Sequence, residues 1–265
     1  MEPEERLQDI WSGGSYSEME TVYLPLAGEL VEEAGIESGE DVLDVGCGTG
    51  NVAITAACRG ADVIGLDVSP AMLERARDNA AWAGVECIDW QEGNATSLPF
   101  EDGAFDATIS CLGHMFGDPP GDVTNELLRV TRSGGTIGFV SWTPTSVFPA
   151  MSGLVMTHLD AEGGPDFTEP PFMWGDADVV ARRFGEDVTD LRCETATLGY
   201  PVLSPEHFWE KIKRNFGVFG EYLPKVDEDD RPALREQVLG TVEPAFDGED
   251  NVVRMEYLLA TATVA

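Results

Sequence analysis

The strongest constraint on the fold of this chain is a glycine-rich turn between a predicted buried strand and a predicted helix. The strand covers Asp41–Val45, the turn covers 46–50 with glycine at every second position, and the helix covers 52–59. Glycine allows the backbone to turn sharply and to approach another group closely, because it carries no Cβ. A second strand, Asp62–Asp67, follows directly, and this strand–helix–strand order is typical of a parallel sheet.

The alternation of short apolar runs with helical patterns continues to residue 142. Ser69 and Pro70 predict the start of a helix, since serine favours the N-cap and proline the first helical position. Gly84 predicts its end, so that the helix runs to about residue 83. Three more strands are predicted at 85–90, 105–111 and 135–142, with a helix at 123–130 before the last of them.

The regular alternation ends at Trp142. Residues 143–175 are too many for an ordinary connection in a compact domain, and their apolar content favours a folded cap over disorder. Beyond them we predict a helix from Asp176 to residue 184, a strand at 191–199, helices from 204 and around 232–239, and a final strand at 252–264. Large apolar side chains in this half could line a substrate pocket, with ordinary core packing as the alternative. They are Trp142, Phe148, Met151, Met173, Trp174, Phe208, Trp209 and Phe216.

The charge balance restricts the partners of the chain. It carries 49 acidic and 16 basic residues, a formal net charge of −33, and the acidic residues are spread along the whole length. This composition is similar to that of proteins from salt-loving organisms, in which high ionic strength screens the repulsion between like charges. An acidic binder of a basic partner is the alternative. Nucleic acid is not expected as a partner, because it is bound by Lys and Arg side chains that neutralise phosphates.

The cysteines and the N-terminus indicate a cytoplasmic protein. Five widely spaced cysteines without a CxxC pair predict neither a disulfide framework nor a zinc site, and we expect no metal. The N-terminus is acidic where a signal peptide would be basic. Residues 133–159 carry no formal charge, but Pro144 and Pro149 interrupt them, so we predict no membrane-spanning helix.

Three polar features come at the predicted carboxyl ends of neighbouring strands. The glycine turn does not match the dinucleotide pattern GxGxxG, because its third glycine, Gly50, comes one residue early. Asp67 ends the second strand, where its carboxylate can accept hydrogen bonds from both hydroxyls of a ribose; capping of the next helix is the alternative. Asn94 follows the third strand and could accept from an adenine amino group, although alone it is more typical of a turn. Together the three features predict a ligand with an amino-acid tail, a ribose and an adenine.

These residues resemble the motifs of class I S-adenosylmethionine (SAM)-dependent methyltransferases, in particular the small-molecule subgroup called methyltransferase type 11. The resemblance covers residues 40–142 and includes VLDVGCGTG at 42–50, VIGLDVSP at 63–70, EGNATSLPF at 92–100, FDATIS at 105–110 and LLRVTRSGG at 127–135. The third motif usually carries Asp where this chain has Asn94. The family implies an α/β fold, a Rossmann-like, seven-stranded, mostly parallel sheet with its last strand antiparallel, helices on both faces and a small cap insertion.

The resemblance also implies SAM as the cofactor and a set of residues that bind it. These residues are Tyr16, Asp44, Gly46, Cys47, Gly48, Gly50, Asp67, Val68, Met72, Asn94, Ala95 and Ser110. Tyr16 would belong to an N-terminal segment that folds over the cofactor, with an anchor of the N-terminal helix as the alternative. His114 follows the fourth strand, where the family places its acceptor, so we predict that His114 orients or deprotonates the substrate. A loop histidine without chemistry is the alternative, and His158 and His207 have weaker claims.

The sequence thus predicts a single-domain enzyme that transfers a methyl group from SAM to a small-molecule acceptor. A methyltransferase acting on protein or RNA, and a SAM-binding protein without catalysis, are the alternatives; the oligomeric state is not indicated. The expected parts are an N-terminal helical cover at 1–38, a SAM-binding core at 39–142, a cap or substrate-side insertion at 143–190, and C-terminal strands and helices at 191–265.

Overall fold

The computed structural model describes residues 17–159, 167–215 and 217–265, which build one central sheet surrounded by helices. The strands are β1 (Asp41–Val45), β2 (Asp62–Asp67), β3 (Ile88–Glu92), β4 (Phe105–Cys111), β5 (Thr131–Trp142), β6 (Val188–Pro201), β7 (Phe246–Asp247) and β8 (Val252–Val264). The α-helices of the described ranges are α1 (Ser17–Glu33), α2 (Asn51–Cys58), α3 (Pro70–Ala83), α4 (Pro120–Val130), α5 (Val147–Thr157), α6 (Ala177–Phe184), α7 (Pro205–Asn215), α8 (Gly217–Tyr222) and α9 (Arg231–Val242).

The order of the strands across the sheet is β3-β2-β1-β4-β5-β8-β6, and the two-residue β7 pairs with β8. Strands β1 to β5 run parallel, whereas β8 runs antiparallel to both β5 and β6. The predicted Rossmann-like, mostly parallel sheet with an antiparallel last strand is therefore confirmed. The short β7 raises the number of strands above the seven that were expected.

The strand order creates the place where a ligand can bind. From β1 the chain builds β2 and β3 on one side, and it then builds β4 and β5 on the other side. The connections that leave the carboxyl ends of β1 and β4 consequently diverge and leave a crevice between them. In open α/β sheets such a reversal point is where ligands bind.

The start of β3 differs from its sequence prediction for a local reason. Strand β3 begins at Ile88 rather than at Val85, because the Val85 N–H bonds the Ala80 carbonyl at 2.9 Å in the C-terminal cap of α3. Ser69 precedes α3 as predicted, but its side chain makes no capping hydrogen bond. The carboxylate of Asp67 instead accepts the Ser69 N–H at 2.8 Å. The predicted cap at Asp176 is present, since this carboxylate accepts two N–H groups of the first turn of α6.

The segment after Trp142 contains α5 and a short 3₁₀ helix at Pro171–Gly175, and residues 160–166 lie outside the described part of the chain. Helix α5 packs against α8 and α9. Most of the large apolar residues that could have lined a substrate pocket pack inside the core instead. Ordinary core packing was the alternative for these residues. The fully or nearly fully buried ones are Trp142, Phe148, Met151, Trp174, Phe208 and Trp209. Phe216 lies outside the described residues. Among the helices described, none is both long and apolar enough to cross a membrane.

Candidate functional site

A cleft opens at the carboxyl ends of β1 to β4, where the strand order reverses. Its empty space, open solvent at the mouth included, is about 960 Å³. One wall comes from the glycine turn and the ends of β1 to β3, and the other from α1 and the segment after β4. The first wall comprises Asp44, Gly46, Cys47, Gly48, Thr49, Asn51, Val52, Leu66, Asp67, Val68, Met72, Gly93, Asn94 and Ala95, and the second comprises Tyr23, Cys111, Leu112, Gly113, Phe116 and Gly117.

Most of the residues that the resemblance implied for the cofactor are brought together in this lining. They are Asp44, Gly46, Cys47, Gly48, Asp67, Val68, Met72, Asn94 and Ala95. Gly50 and Ser110 do not line the cleft and support it from behind. A Cβ on Gly50 would lie 2.8 Å from the Trp90 ring, and the Ser110 hydroxyl donates to the Val45 carbonyl at 2.6 Å. Tyr16 lies outside the described residues.

The floor of the cleft is a backbone contact between the glycine turn and the segment after β4. A Cβ on Gly113 would lie 2.3 Å from the Gly46 carbonyl oxygen, and a Cβ on Gly46 would lie 2.7 Å from the Gly113 Cα. Gly46 also has a φ of 66°, a left-handed conformation that side-chain-bearing residues rarely adopt. Glycine is therefore required at both positions, and the sequence motif indicated only the first of them.

Asp67 lies at the end of β2 with its carboxylate turned toward the glycine turn. One oxygen accepts the Gly48 N–H at 2.8 Å and the other accepts the Ser69 N–H at 2.8 Å. Burial raises the pKa of Asp67, and these N–H groups partly oppose the rise. The carboxylate thus fixes the residue that precedes the next helix and also holds the glycine turn. Since each carboxylate oxygen has two lone pairs, both can accept a further hydrogen bond from a ligand hydroxyl.

Asp44 is a buried carboxylate with one free acceptor atom. Its Oδ2 accepts the Ala53 N–H of α2 at 2.9 Å, whereas its Oδ1 has no partner among the described residues. Burial raises the pKa of Asp44 to about 7, with a further contribution from the charge of Asp67. A buried acceptor without a donor is costly, so this oxygen is suited to a donor group on a ligand.

Asn94 makes a turn rather than presenting its oxygen to the cleft. Its Oδ1 accepts the Thr96 N–H at 3.0 Å and the Thr96 hydroxyl at 2.9 Å, so both lone pairs are occupied. The geometry therefore does not favour the prediction that this oxygen accepts a hydrogen bond from an adenine amino group. The Asn94 amide N–H₂ group is the polar group left for a ligand, and it donates instead of accepting.

His114 lies behind the cleft and does not line it. The side chain is fully buried, and its ring packs against Phe139 and Trp174 with ring centroids 4.7 and 4.8 Å apart. Burial lowers the pKa of His114 to about 3, with a further contribution from the charge of Arg183. The prediction that His114 orients or deprotonates the substrate is therefore corrected, because a fully enclosed, neutral ring cannot reach a molecule in the cleft.

The hydrogen bonds of His114 define its tautomer and its structural role. The Ser110 hydroxyl donates its single proton to the Val45 carbonyl, so it must accept from both the His114 N–H and Nδ1, each at 3.0 Å. Nδ1 is consequently protonated, and Nε2 accepts from the Ser141 hydroxyl at 3.2 Å. The ring thus connects β4 and β5, and the Ser110 hydroxyl connects them to β1 through the Val45 carbonyl.

Helix α1 covers the cleft and is attached by a polar cluster that the sequence motifs did not indicate. The Glu20 carboxylate pairs with Arg75 of α3 at 2.9 Å, and the Glu20 carbonyl accepts from the Asn51 side chain at 2.8 Å. Asn79 of α3 reaches the same carboxylate at 3.4 Å. One helical turn further, Tyr23 lines the cleft. Sequence reasoning missed Tyr23 because α1 lies far from the motifs and meets them only in the folded chain.

Comparison with known proteins relates residues 42–135 to a family described as a methyltransferase domain. An uncharacterized protein of Mycobacterium tuberculosis (strain H37Rv) is 35% identical over 256 residues, which cover 96% of this chain and 92% of the relative. Demethylmenaquinone methyltransferase of Renibacterium salmoninarum is 38% identical over 111 residues, or 41% of this chain and 44% of that protein.

Solved structures share the fold at low sequence identity. The YcgJ protein of Bacillus subtilis superposes with a TM-score of 0.63 at 18% identity, covering 90% of this chain and 97% of that one. Geranyl diphosphate C-methyltransferase of Streptomyces coelicolor A3(2), in complex with Mg²⁺, geranyl diphosphate and S-adenosyl-L-homocysteine, gives a TM-score of 0.54 at 16% identity, covering 91% and 79%.

The Gly46–Gly113 contact is tested by replacing Gly113 with alanine. We expect Gly113→Ala to lower the free energy of unfolding by about 1–3 kcal/mol, because the new Cβ would overlap the Gly46 carbonyl and force the two loops apart. The matched control is Gly121→Ala in the first turn of α4, where a Cβ meets nothing within 4 Å. Denaturant unfolding should show this control as stable as the parent or slightly more so; equal effects of the two substitutions would refute the contact.

The assignment of His114 is tested by nitrogen NMR of the imidazole rings. We expect a neutral ring protonated at Nδ1 that does not titrate between pH 7 and pH 5, because its pKa is lowered to about 3. His158 and His207 provide reference signals in the same spectrum, and His114→Gln identifies the signal. A His114 ring protonated at Nε2, or one that becomes doubly protonated above pH 5, would contradict the assignment.

Proposed function

The chain belongs to the class I methyltransferase family, and on that premise we propose that it transfers a methyl group from SAM to a small molecule. The observation that carries the proposal is the pair of buried carboxylates in one cleft. Asp44 keeps a buried oxygen without a donor among the described residues, and Asp67 faces the same cleft from the neighbouring strand. A cationic ligand that also carries a ribose supplies partners for both groups. A dinucleotide would place its anionic pyrophosphate beside them instead.

The residues of the cleft fit the parts of SAM. We assign Asp44 Oδ1 to the ammonium group of the methionine tail and the Asp67 carboxylate to the ribose hydroxyls. The N–H groups of Gly46, Cys47, Gly48 and Gly50 already donate within the protein, so we assign the Thr49 N–H of the glycine turn to the tail carboxylate. Val68 and Met72 would contact the adenine. The complex of the Streptomyces methyltransferase with S-adenosyl-L-homocysteine supports SAM use within this fold.

The chain contributes to catalysis mainly by positioning. SAM supplies a methyl group on a sulfonium sulfur, which is a good leaving group, so the rate depends on holding the acceptor in line with the methyl. The rigid Gly46–Gly113 floor keeps the two walls of the cleft at a constant separation. Helix α1, held by the ion pair between Glu20 and Arg75, contributes Tyr23 to the lining of the site. We propose residues 1–38 as the cover of the site and residues 39–142 as its SAM-binding core. We propose residues 143–190 as the cap and residues 191–265 as the C-terminal part that completes the sheet.

The surface charge supports a working environment of high salt. With a formal net charge of −33, the folded chain repels itself at low ionic strength, and salt screens that repulsion within about 10 Å or less. The five cysteines are all free, which is consistent with a reducing, cytoplasmic location. We therefore propose a high-salt environment and a cytoplasmic location for the protein, and the assays below use high salt.

Asp67 is tested by its effect on SAM affinity. We expect Asp67→Ala to raise the Kd for SAM at least about tenfold, since a charged hydrogen-bond acceptor contributes about 1.5–3 kcal/mol. The control is Asp62→Ala at the exposed amino end of the same strand, which should leave the Kd unchanged. Calorimetric titration of the folded proteins measures both. An Asp67→Ala variant that binds SAM as tightly as the parent would remove this carboxylate from the site.

Asp44 predicts a pH dependence of SAM binding. Its pKa is raised to about 7, so the carboxylate is ionised above pH 7 and progressively neutral below it. The Kd for SAM should therefore increase as the pH falls below 7, by at most about tenfold per unit. The Asp44→Asn variant should bind weakly and without this pH dependence. Parallel pH profiles for the two proteins would contradict the assignment.

Methyl transfer itself is tested with SAM carrying a labelled methyl group and a metabolite extract at high salt. We expect label in a small-molecule product and formation of S-adenosylhomocysteine in equal amount. Label retained on protein or RNA would contradict a small-molecule acceptor. SAM binding without any S-adenosylhomocysteine would contradict catalysis.

A further inference from the structure

We infer that Arg129 of α4 is a positioning residue, which fixes the segment that borders the nucleoside end of the proposed SAM site. The inference rests on the proposed function and adds a residue that acts on the site from outside it. The term base segment is used below for residues 93–98, which follow β3. This segment contributes Gly93, Asn94 and Ala95 to the lining of the cleft, whereas Arg129 is not among the described lining residues.

The base segment is anchored to the sheet at its first residue. The Gly93 N–H donates to the Asp67 carbonyl of β2 at 3.0 Å. The next bonds lie within the segment, since the Ser97 N–H donates to the Asn94 carbonyl and the Thr96 N–H to Asn94 Oδ1, both at 3.0 Å. Internal bonds hold the shape of the segment but not its place. The place of the segment therefore also depends on what holds its last residue.

The last residue of the base segment, Leu98, is held by two side chains of α4. Its N–H donates to Glu126 Oε2 at 2.6 Å, and its carbonyl accepts from Arg129 Nη2 at 3.0 Å. The Leu98 side chain is itself buried. Both backbone groups of one residue are thus bonded by side chains three positions apart on the same helix, so that a shift of either side chain displaces the end of the base segment.

The guanidinium group of Arg129 uses all of its donors in this arrangement. Nε and Nη2 donate to the two carboxylate oxygens of Glu126 at 2.7 and 2.8 Å. Nη1 donates to the Phe100 carbonyl at 2.6 Å and to Asp102 at 2.9 Å. With the bond to Leu98, each of the five N–H donors of the guanidinium has an acceptor. Hydrogen bonding to Arg129 also lowers the pKa of Glu126, which keeps that carboxylate ionised.

The shape of the arginine side chain is required here as well as its charge. Leu98 and Phe100 flank Pro99, which has no N–H to form a regular turn. The planar guanidinium reaches the carbonyls on both sides of this proline and a carboxylate at the same time. A lysine has three donors on a single nitrogen and cannot span these acceptors. Isolated surface ion pairs contribute little, but this pair is bidentate and also bonds the backbone.

Fixing the base segment fixes a polar group of the proposed SAM site. The Asn94 amide N–H₂ group is kept at a constant distance from Val68 and Met72, which we assign to the adenine. The methionine tail is assigned to Asp44 and the glycine turn, which belong to β1 and its connection and not to the base segment. Loosening Leu98 should therefore weaken recognition of the base more than binding of the tail.

Calorimetric titration with S-adenosylhomocysteine and S-inosylhomocysteine tests this selectivity. In the inosine compound a carbonyl replaces the amino group of the base, and the neighbouring ring nitrogen carries a proton, so that it donates where adenine accepts. We expect the parent chain to bind the adenosine compound more tightly, and Arg129→Lys to reduce the ratio of the two Kd values by about threefold or more. A general loss of stability would weaken both ligands by the same factor and leave the ratio unchanged.

The matched control is Arg132→Lys. Arg132 pairs with Asp106 near the amino end of β4, and this substitution should keep the parent ratio. A parent-like ratio in Arg129→Lys would overturn the inference. A parent chain that binds both compounds equally would overturn it too, because the base segment would then distinguish no base.

Hydrogen exchange of the ligand-free chain gives a second readout and a second variant. Glu126→Gln keeps the size of the side chain and one acceptor oxygen, and it serves if Arg129→Lys does not fold. We expect both variants to speed the exchange of the Thr96, Ser97 and Leu98 amides at least about tenfold, without a comparable change in β1. Parent-like exchange at these amides would overturn the inference. If the parent binds neither compound, the proposed function fails, whereas faster exchange still identifies Arg129 as the residue that holds the base segment.

Discussion

The contact between the backbones of Gly46 and Gly113 is the constraint on which the cleft depends. It joins the turn after β1 to the segment after β4, at the point where the strand order of the sheet reverses. Because no side chain separates the two loops, the walls of the cleft meet at a fixed distance. The buried His114 ring, with its hydrogen bonds to Ser110 and Ser141, supports this contact from behind.

The second constraint is electrostatic. Two neighbouring parallel strands each carry a buried carboxylate near their carboxyl end, Asp44 in β1 and Asp67 in β2, and burial raises the pKa of both. Backbone N–H groups of the glycine turn and of the following helices compensate only part of that cost. A ligand that brings a cation and a pair of hydroxyls would compensate the rest. Part of the free-energy cost of burying the two carboxylates would thus be recovered when such a ligand binds.

The regular first half of the fold could be predicted because local signals and packing agree there. Strands β1, β2 and β4 have the predicted bounds, since short β-branched runs lie between glycine, proline and capping residues. The predicted start of β3 at Val85 was wrong, because the Val85 N–H bonds the Ala80 carbonyl in the C-terminal cap of α3. The site residues drawn from the motifs mostly line one cleft, but Tyr23 and Gly113 are defined only by tertiary contacts. His114 was misjudged because its position after a strand does not reveal that its ring turns into the core.

SAM binding by the two carboxylates of the cleft is tested by calorimetric titration of the full chain at pH 8 and high salt. We expect one SAM bound per chain, and no comparable binding of NAD. Saturating binding of NAD with no heat from SAM would contradict this assignment.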